Sequence, residues 1–207
     1  MPLHLTINPA TFDAAALLPA LTALRAGQVV AYPTDTLYGL GADPRSEVGV
    51  MAVFRIKGRD PDQSLPLIAA SVEQAAEAGE LNAIARRLAA RFWPGPLTLV
   101  VPQIMPLAPG VGVAGAIAIR VPRDAIARDL ARVLGAPITS TSANRSGDPP
   151  AETAREVAAA LGDLVAVIVD GGAAPGGAPS TIVDVTTDVP RLVRAGAVPW
   201  DRVLESL

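Results

Sequence analysis

The stretch "QVVAYPTDTLYGLGADP", residues Gln28–Pro44, combines a strand pattern with a crowded polar turn. Residues 28–32 are predicted to form a buried strand because they make a short apolar run bounded by turn residues. Pro33, two threonines, an aspartate and two glycines follow, and such residues favour tight turns. On its own, the turn is explained by Thr and Asp side chains that bond to their own backbone, and a backbone-capping role is favoured for Asp35 over a role as proton acceptor.

Outward from this stretch, predicted strands alternate with predicted helices. Strands are expected at 3–7, 28–32, 65–70, 97–101, 116–121, 137–141, 165–170, 181–185 and 191–194. Helices are expected at 13–26, 46–56, 72–78, 81–92, 124–134, 152–161 and 200–207, with Pro19 kinking the first or delaying its start. The alternation indicates the α/β (α+β) class, with one twisted, largely mixed β-sheet that carries helices on its faces.

Length and composition favour a single domain over residues 1–207, because half of the residues are apolar and no linker or repeat interrupts them. No stretch is long and apolar enough for a membrane span, and the N-terminus lacks a signal-peptide pattern, so a cytoplasmic protein is expected. The formal net charge of −3 argues against a general nucleic-acid binder, although weak or local RNA contact stays open.

Two absences limit the chemistry. The chain has no Cys, and its one His is His4, in the first predicted strand. Thiolate nucleophiles, Cys-based zinc sites and Ser/His pairs near the predicted loops are therefore excluded. What remains is chemistry that places charges and hydrogen-bond donors around an anion, as in phosphoryl or nucleotidyl transfer.

Four polar loops follow apolar elements, and several cations stand at their edges. The loops read "YPTDTLYGLG", "KGRDPDQSLP", "TSTSANRSGDPP" and "GGAAPGGAPSTIVD". Lys57 is the one lysine among 17 basic residues and stands two positions from Arg59. Because a compact ammonium and a planar guanidinium differ in hydrogen bonding, a site that needs both keeps both. Together with Arg120 and Arg194, the loops predict one cavity for an anionic ligand.

Several motifs also resemble a known family. In chain order they are "YPTDTLYGLG", "KGR" with a following "LPLI", "FWPGPLTLV", "AIRVP", "TSANRSGDPP" and "PSTIVD". Their order and spacing over residues 26–194 resemble the YrdC-like domain of the L-threonylcarbamoyladenylate synthase family. The resemblance implies a YrdC/RibB-like fold with a concave ligand cavity. It also implies synthesis of threonylcarbamoyl-AMP and pyrophosphate from L-threonine, bicarbonate or CO2, and ATP, for N6-threonylcarbamoyladenosine modification of tRNA.

The resemblance implies roles for eight residues. The catalytic tetrad of the family falls on Lys57, Arg59, Ser142 and Asn144. The positions that hold L-threonine are matched by Thr36, Arg120, Ser142 and Ser180, and those that hold ATP by Lys57, Arg59, Asn144 and Arg194. Mg2+ is expected on the ATP phosphates with no protein ligands of its own, and a downstream tRNA threonylcarbamoyl-transferase complex is the expected partner. Replacing Lys57 or Arg59 with alanine is predicted to leave stability almost unchanged, on the premise that both are exposed.

Three features depart from the family pattern. Asp60 stands between Arg59 and Pro61, where many members have proline directly after the arginine, and Ile68 stands where some members carry histidine. The sequence also ends soon after Arg194, which favours a short single-domain form with no C-terminal accessory domain. The alternatives are a YrdC-like module that binds RNA or a nucleotide without making the adenylate, and a paralogous carbamoyl or nucleotide enzyme of the same fold.

Overall fold

The strands of the described residues, 1–60 and 63–207 of this computed structural model, form two mixed sheets. The strands are β1 (Leu3–Thr6), β2 (Val30–Tyr32), β3 (Gly39–Gly41), β4 (Leu67–Ile68), β5 (Leu97–Pro102), β6 (Ala116–Arg120), β7 (Ile138–Thr139), β8 (Thr141–Ser142), β9 (Val167–Asp170), β10 (Thr181–Asp184) and β11 (Arg191–Arg194). The first sheet has the order β1-β9-β2-β3-β8, and the second has the order β11-β10-β5-β6-β4-β7. Each sheet contains parallel and antiparallel pairs, which confirms the predicted mixed α/β class.

Seven helices occur in the described residues, and polar side chains cap the starts of five of them. They are α1 (Leu18–Arg25), α2 (Glu47–Lys57), α3 (Val72–Ala78), α4 (Ala83–Phe92), α5 (Ala125–Leu134), α6 (Ala154–Leu161) and α7 (Trp200–Leu204). The side chains of Ser46, Ser71, Asn82, Asp124 and Thr153 each accept a backbone N–H of the first turn. Pro19 stands in the first turn of α1, behind a 3-10 turn over Ala14–Leu17, so the predicted delayed start is observed.

The predicted strand over 137–141 is wrong in one respect, because the chain changes sheets within it. β7 pairs with β4 in the second sheet, whereas β8 pairs with β3 in the first. Ser140 lies at the crossing, and its N–H bonds to the carbonyl of Pro66 at 2.7 Å. One sheet was expected, but the strands are divided between two sheets. Between β7 and β8 the chain passes from the second sheet to the first.

The turn after β2, within residues 28–44, also contains a strand that the sequence did not predict. β3 pairs with β2 so that Tyr32 lies opposite Gly39 and Val30 opposite Gly41. A Cβ at Gly41 would lie 2.7 Å from the Tyr32 ring, so the glycine allows the ring to pack against the strand. Glycine has a low strand propensity, which explains why the pattern indicated only a turn.

Strand β2 of the first sheet is buried on both faces. Ala31 packs in one hydrophobic cluster with Leu40 and Ile168, while its neighbours Val30 and Tyr32 pack in the other. Burial on both faces accounts for the uninterrupted apolar run before Pro33. In the described part of the chain, no helix has the length and apolarity needed to cross a membrane.

Candidate functional site

A cavity of about 800 Å³ lies between the two sheets. The first sheet contributes Gly39 and the β8 residues, and the second contributes one face of β5, β6 and β10. All eight sequence-predicted site residues line this cavity: Thr36, Lys57, Arg59, Arg120, Ser142, Asn144, Ser180 and Arg194. The structure therefore brings together residues from four separate loops and strand ends, while their individual roles stay predictions.

Both threonines of the turn after β2 line the cavity, and the Thr34 hydroxyl also holds the turn together. The Thr34 hydroxyl accepts the backbone N–H groups of Thr36 and Leu37 at 3.2 and 3.3 Å, and donates to the carbonyl of Leu37 at 2.7 Å. The Thr36 hydroxyl lies 3.2 Å from that of Thr34, and the residue lines the cavity. Thr34 thus caps the turn, and Thr36 lies on the cavity wall with its hydroxyl beside that of Thr34.

The lysine of the predicted tetrad is held directly by two of its other members. Lys57 Nζ donates to the carbonyl of Ser142 at 2.8 Å, to its hydroxyl at 3.2 Å and to Asn144 Oδ1 at 2.5 Å. The Ser142 hydroxyl donates to the same Asn144 oxygen at 2.7 Å, and the Asn144 amide nitrogen donates to the carbonyl of Asp148 at 2.6 Å. Asn144 therefore fixes the ammonium group against β8.

Burial changes the charge behaviour of this lysine. Lys57 is 4% exposed, which corrects the expectation of an exposed residue. Burial, and secondarily the positive charge of Arg59, lowers the pKa of the Lys57 ammonium from 10.5 to about 8. The ammonium is still largely protonated at neutral pH, but it releases its proton far more readily than a surface lysine.

Arg59 has buried donor atoms with no bonding partner among residues 1–60 and 63–207. Its guanidinium lies 5.7 Å from the centroid of the Phe54 ring, and burial lowers its pKa. Among the described residues, no hydrogen-bond acceptor reaches Nε or Nη2 of Arg59. Buried donors of this kind are normally satisfied, so an anion in the cavity would supply what the protein does not.

Ser180 and Arg194 form a second polar group on the second sheet. Ser180 directly precedes β10, and Arg194 is the last residue of β11. Nε and Nη2 of Arg194 donate to the carbonyl of Ser180 at 3.2 and 2.7 Å, and Nη2 also reaches the Ser180 hydroxyl at 3.1 Å. The buried Thr98 hydroxyl donates to the Ser180 hydroxyl at 2.9 Å. Burial, and secondarily the charge of Arg120, lowers the pKa of Arg194, so the cavity concentrates positive charge.

Arg120 is paired with an acidic side chain. Its Nη1 donates to Asp35 Oδ1 at 2.5 Å, and both side chains are buried. Asp35 Oδ2 accepts the backbone N–H of Arg123 at 3.1 Å. The favoured backbone-capping role of Asp35 is thus wrong for its own turn, because Thr34 caps it and Asp35 bonds a backbone group 88 residues away.

Sequence reasoning missed Thr98, Thr34 and the partner of Asp35. Thr98 is a polar residue within the otherwise apolar strand motif "LTLV", and that irregularity was the available signal. The Asp35–Arg120 contact joins positions 85 apart, for which a single sequence holds no local signal.

The two substitutions in the family pattern have different outcomes. Ile68 packs in the core beside Tyr32, while its neighbour Leu67 lines the cavity. Pro61, which follows the departing Asp60, lies outside the described residues. The described residues contain no group of three or more His, Cys, Asp or Glu side chains that could hold a metal ion.

Comparison with known proteins identifies relatives over most of the chain. Residues 22–196 match the Sua5/YciO/YrdC family, which carries the description "Telomere recombination". Threonylcarbamoyl-AMP synthase of Pyrococcus abyssi is 40% identical over 183 residues, which cover 87% of this chain and 54% of that protein. The same-named protein of Chromohalobacter salexigens is 40% identical over 171 residues, which cover 80% and 90%.

Solved structures identify the same family as the sequence relatives. Sua5 of P. abyssi complexed with L-threonine superposes with a TM-score of 0.91 at 34% identity, over 100% of this chain and 61% of that chain. The chain thus spans about half the length of the curated P. abyssi relative and most of the C. salexigens one.

Proposed function

Because the chain belongs to the Sua5/YciO/YrdC family, we propose that it is a threonylcarbamoyl-AMP synthase. The observation that carries the proposal is the joint position of Lys57, Ser142 and Asn144, bonded to one another on the wall of a cation-rich cavity. The cavity volume of about 800 Å³ lies in the range of sites for cofactor-sized ligands.

The proposed reaction is a nucleotidyl transfer from ATP. The amine of L-threonine first combines with bicarbonate or CO2 to give a carbamate. A carbamate oxygen then forms a bond to the α-phosphorus of ATP, and the bond from that phosphorus to the pyrophosphate oxygen breaks. The products are threonylcarbamoyl-AMP and pyrophosphate, and no protein nucleophile takes part, in keeping with the absence of Cys.

The cavity residues divide between the two substrates. Lys57, Arg59 and Arg194 would hold the phosphates, and the unpartnered Arg59 nitrogens fit an anionic oxygen. Arg120 would hold the threonine carboxylate, with the hydroxyls of Thr36, Ser142 and Ser180 beside the amino acid. Catalysis would then consist of aligning two anions and stabilising charge on the departing pyrophosphate.

Magnesium would accompany ATP. Bound Mg2+ would neutralise phosphate charge, and because the described residues offer no acidic cluster for it, phosphate oxygens and water would supply its ligands. The product would pass to a transferase complex that modifies tRNA, in the cytoplasm where tRNA, ATP and threonine meet. RNA contact with this chain would be weak and local, given the net charge of −3.

The test is pyrophosphate release by the purified chain. We expect release in the presence of ATP, Mg2+, bicarbonate and L-threonine, and its loss when L-threonine is omitted. Arg59→Ala should reduce the rate about 10- to 100-fold, the usual effect of losing a charged hydrogen bond. Arg55→Ala is the matched control, because Arg55 is an exposed cation on α2, the helix that precedes Arg59.

Two results would contradict the proposal. Folded protein that releases no pyrophosphate would favour a binding module without synthase activity. Release that does not depend on threonine would favour a paralogous enzyme with another acceptor.

A further inference from the structure

A buried ion pair joins the turn after β2 to the end of β6. Asp35 Oδ1 lies 2.5 Å from Arg120 Nη1, and the two side chains are 9% and 8% exposed. Arg120 is the last residue of β6 and lines the cavity. The pair therefore stands at the edge of the cavity where the amino-acid substrate is proposed to bind.

The Asp35 carboxylate is held at both oxygens. Oδ1 accepts from the guanidinium, and Oδ2 accepts the backbone N–H of Arg123 at 3.1 Å, in the loop that follows β6. A carboxylate fixed in this way restricts the rotation of a long arginine side chain. The contact therefore limits the orientations open to the Arg120 guanidinium.

Asp35 also influences the position of the Thr36 hydroxyl. Asp35 stands between Thr34, which caps the turn, and Thr36, whose side chain lies on the cavity wall. Because Asp35 ties this turn to Arg120, the separation of the Thr36 hydroxyl and the Arg120 guanidinium depends on the ion pair. Those two groups are the ones proposed to hold threonine.

We infer that Asp35 is a positioning residue, which orients Arg120 so that its remaining N–H donors face the carboxylate of the amino-acid substrate. The inference rests on the proposed function for the identity of that substrate. Both oxygens of Asp35 accept hydrogen bonds from the protein, which favours a positioning role over that of proton acceptor for the substrate amine.

Charge alone leads to the opposite expectation. Asp35 carries a negative charge beside the group that would bind an anion, so its removal would strengthen the attraction for a carboxylate. Positioning requires that its removal weaken binding. The sign of the change in threonine affinity therefore separates the two views.

The experiment is calorimetric titration of the full chain with L-threonine and with L-threonine amide, which lacks the carboxylate charge. The wild-type protein should prefer L-threonine. Asp35→Ala should weaken L-threonine binding about tenfold or more and reduce the preference over the amide. Asp35→Asn should have a smaller effect, since its amide oxygen still accepts from Nη1.

Asp43→Asn is the matched control. Asp43 also pairs with an arginine, since its carboxylate accepts from Nε and Nη2 of Arg45 at 2.8 and 2.7 Å, but Arg45 lies outside this cavity. Threonine affinity should be unchanged in this variant. ATP binding, measured for each variant, reports whether the cavity remains folded.

A kinetic split and a double variant complete the test. Asp35→Asn should raise the KM for threonine while kcat and the KM for ATP change little. In an Arg120→Ala background, Asp35→Ala should cause no further loss of threonine affinity, because Asp35 acts through Arg120.

Several outcomes would overturn the inference. Unchanged or tighter threonine binding by the Asp35 variants would do so, as would a loss confined to kcat with an altered pH profile. Wild-type protein that does not bind threonine would refute it as well. Threonine binding with the predicted dependence on Asp35, but without pyrophosphate release, would refute the proposed function alone.

Discussion

Lys57 shows how much a single residue depends on its surroundings. As the only lysine in the chain it already stood out in the sequence, but its environment did not. Burial and the neighbouring Arg59 lower its pKa to about 8, and three oxygens of Ser142 and Asn144 surround its ammonium. A weakly held proton at the proposed phosphate site would make ligand binding depend on pH.

The prediction for Lys57 is a titration midpoint near pH 8. Because the chain has one lysine, labelling with isotopic lysine yields a single side-chain resonance, whose shift with pH measured by NMR reports the pKa. The charge is present below the midpoint and is lost above it, so kcat/KM for ATP should fall as pH rises through about 8. A midpoint near the ordinary value of 10.5 would contradict the prediction.

Two controls identify the causes of the shift. Arg59→Met removes the second cause and should move the midpoint upward, whereas Arg55→Met should leave it in place. Saturation with pyrophosphate should also raise the midpoint, because a bound anion favours the charged lysine.

Strand β3 shows how an element depends on a close contact with its neighbour. Its two glycines lie on the same strand but approach the Tyr32 ring at different distances. A Cβ at Gly41 would lie 2.7 Å from the buried Tyr32 ring, whereas the nearest atom to a Cβ at Gly39 would be 3.4 Å away. One position is therefore overpacked by a methyl group and the other makes ordinary contact.

We expect Gly41→Ala to lower the free energy of unfolding by about 1–3 kcal/mol, the usual cost of overpacking a core. Gly39→Ala is the control and should change it much less, although activity can change because Gly39 lines the cavity. Urea unfolding monitored by circular dichroism measures both. Equal stability losses in the two variants would contradict the assignment of the cost to the Tyr32 contact.

At the scale of the whole molecule, the cavity depends on the two sheets together. Thr36 and Ser142 come from the first sheet and its turn, while Arg120 and Ser180 come from the second sheet and its edge. A ligand that contacts both groups binds the folded arrangement and not the unfolded chain. Ligand binding should therefore stabilise the entire fold.

ATP and L-threonine together, each at about one hundred times its dissociation constant, should stabilise the protein by at least about 2.7 kcal/mol. For a domain of this size that corresponds to a rise in Tm of roughly 5–10 °C. Differential scanning fluorimetry measures the shift. Arg59→Ala should reduce the shift from ATP and leave that from threonine, and a shift from neither ligand in the wild type would contradict the assigned cavity.

Much of the architecture was predictable because its signals are local. The helix over residues 72–78 and the strand over 191–194 have the predicted bounds, and Ser46 and Asp124, the first residues of two predicted helices, cap those helices. The candidate site was also predictable as a set, since its residues belong to motifs in a fixed order. β3 and the division of 137–141 were missed because glycine propensity and strand pattern describe neighbouring residues only.

The sequence by itself determined which chemical groups the protein has: one lysine among arginines, no cysteine, and hydroxyl and amide side chains at the ends of its strands. Only the tertiary structure decided that Thr36 faces the cavity while Thr34 caps the turn, that Lys57 is buried against Ser142 and Asn144, and that Asp35 holds Arg120. The physical reason is distance along the chain. Caps and strand patterns act over a few residues, whereas the contacts of Lys57 with Ser142 and of Asp35 with Arg120 join positions more than 80 apart, and they form only when both sheets pack around one cavity.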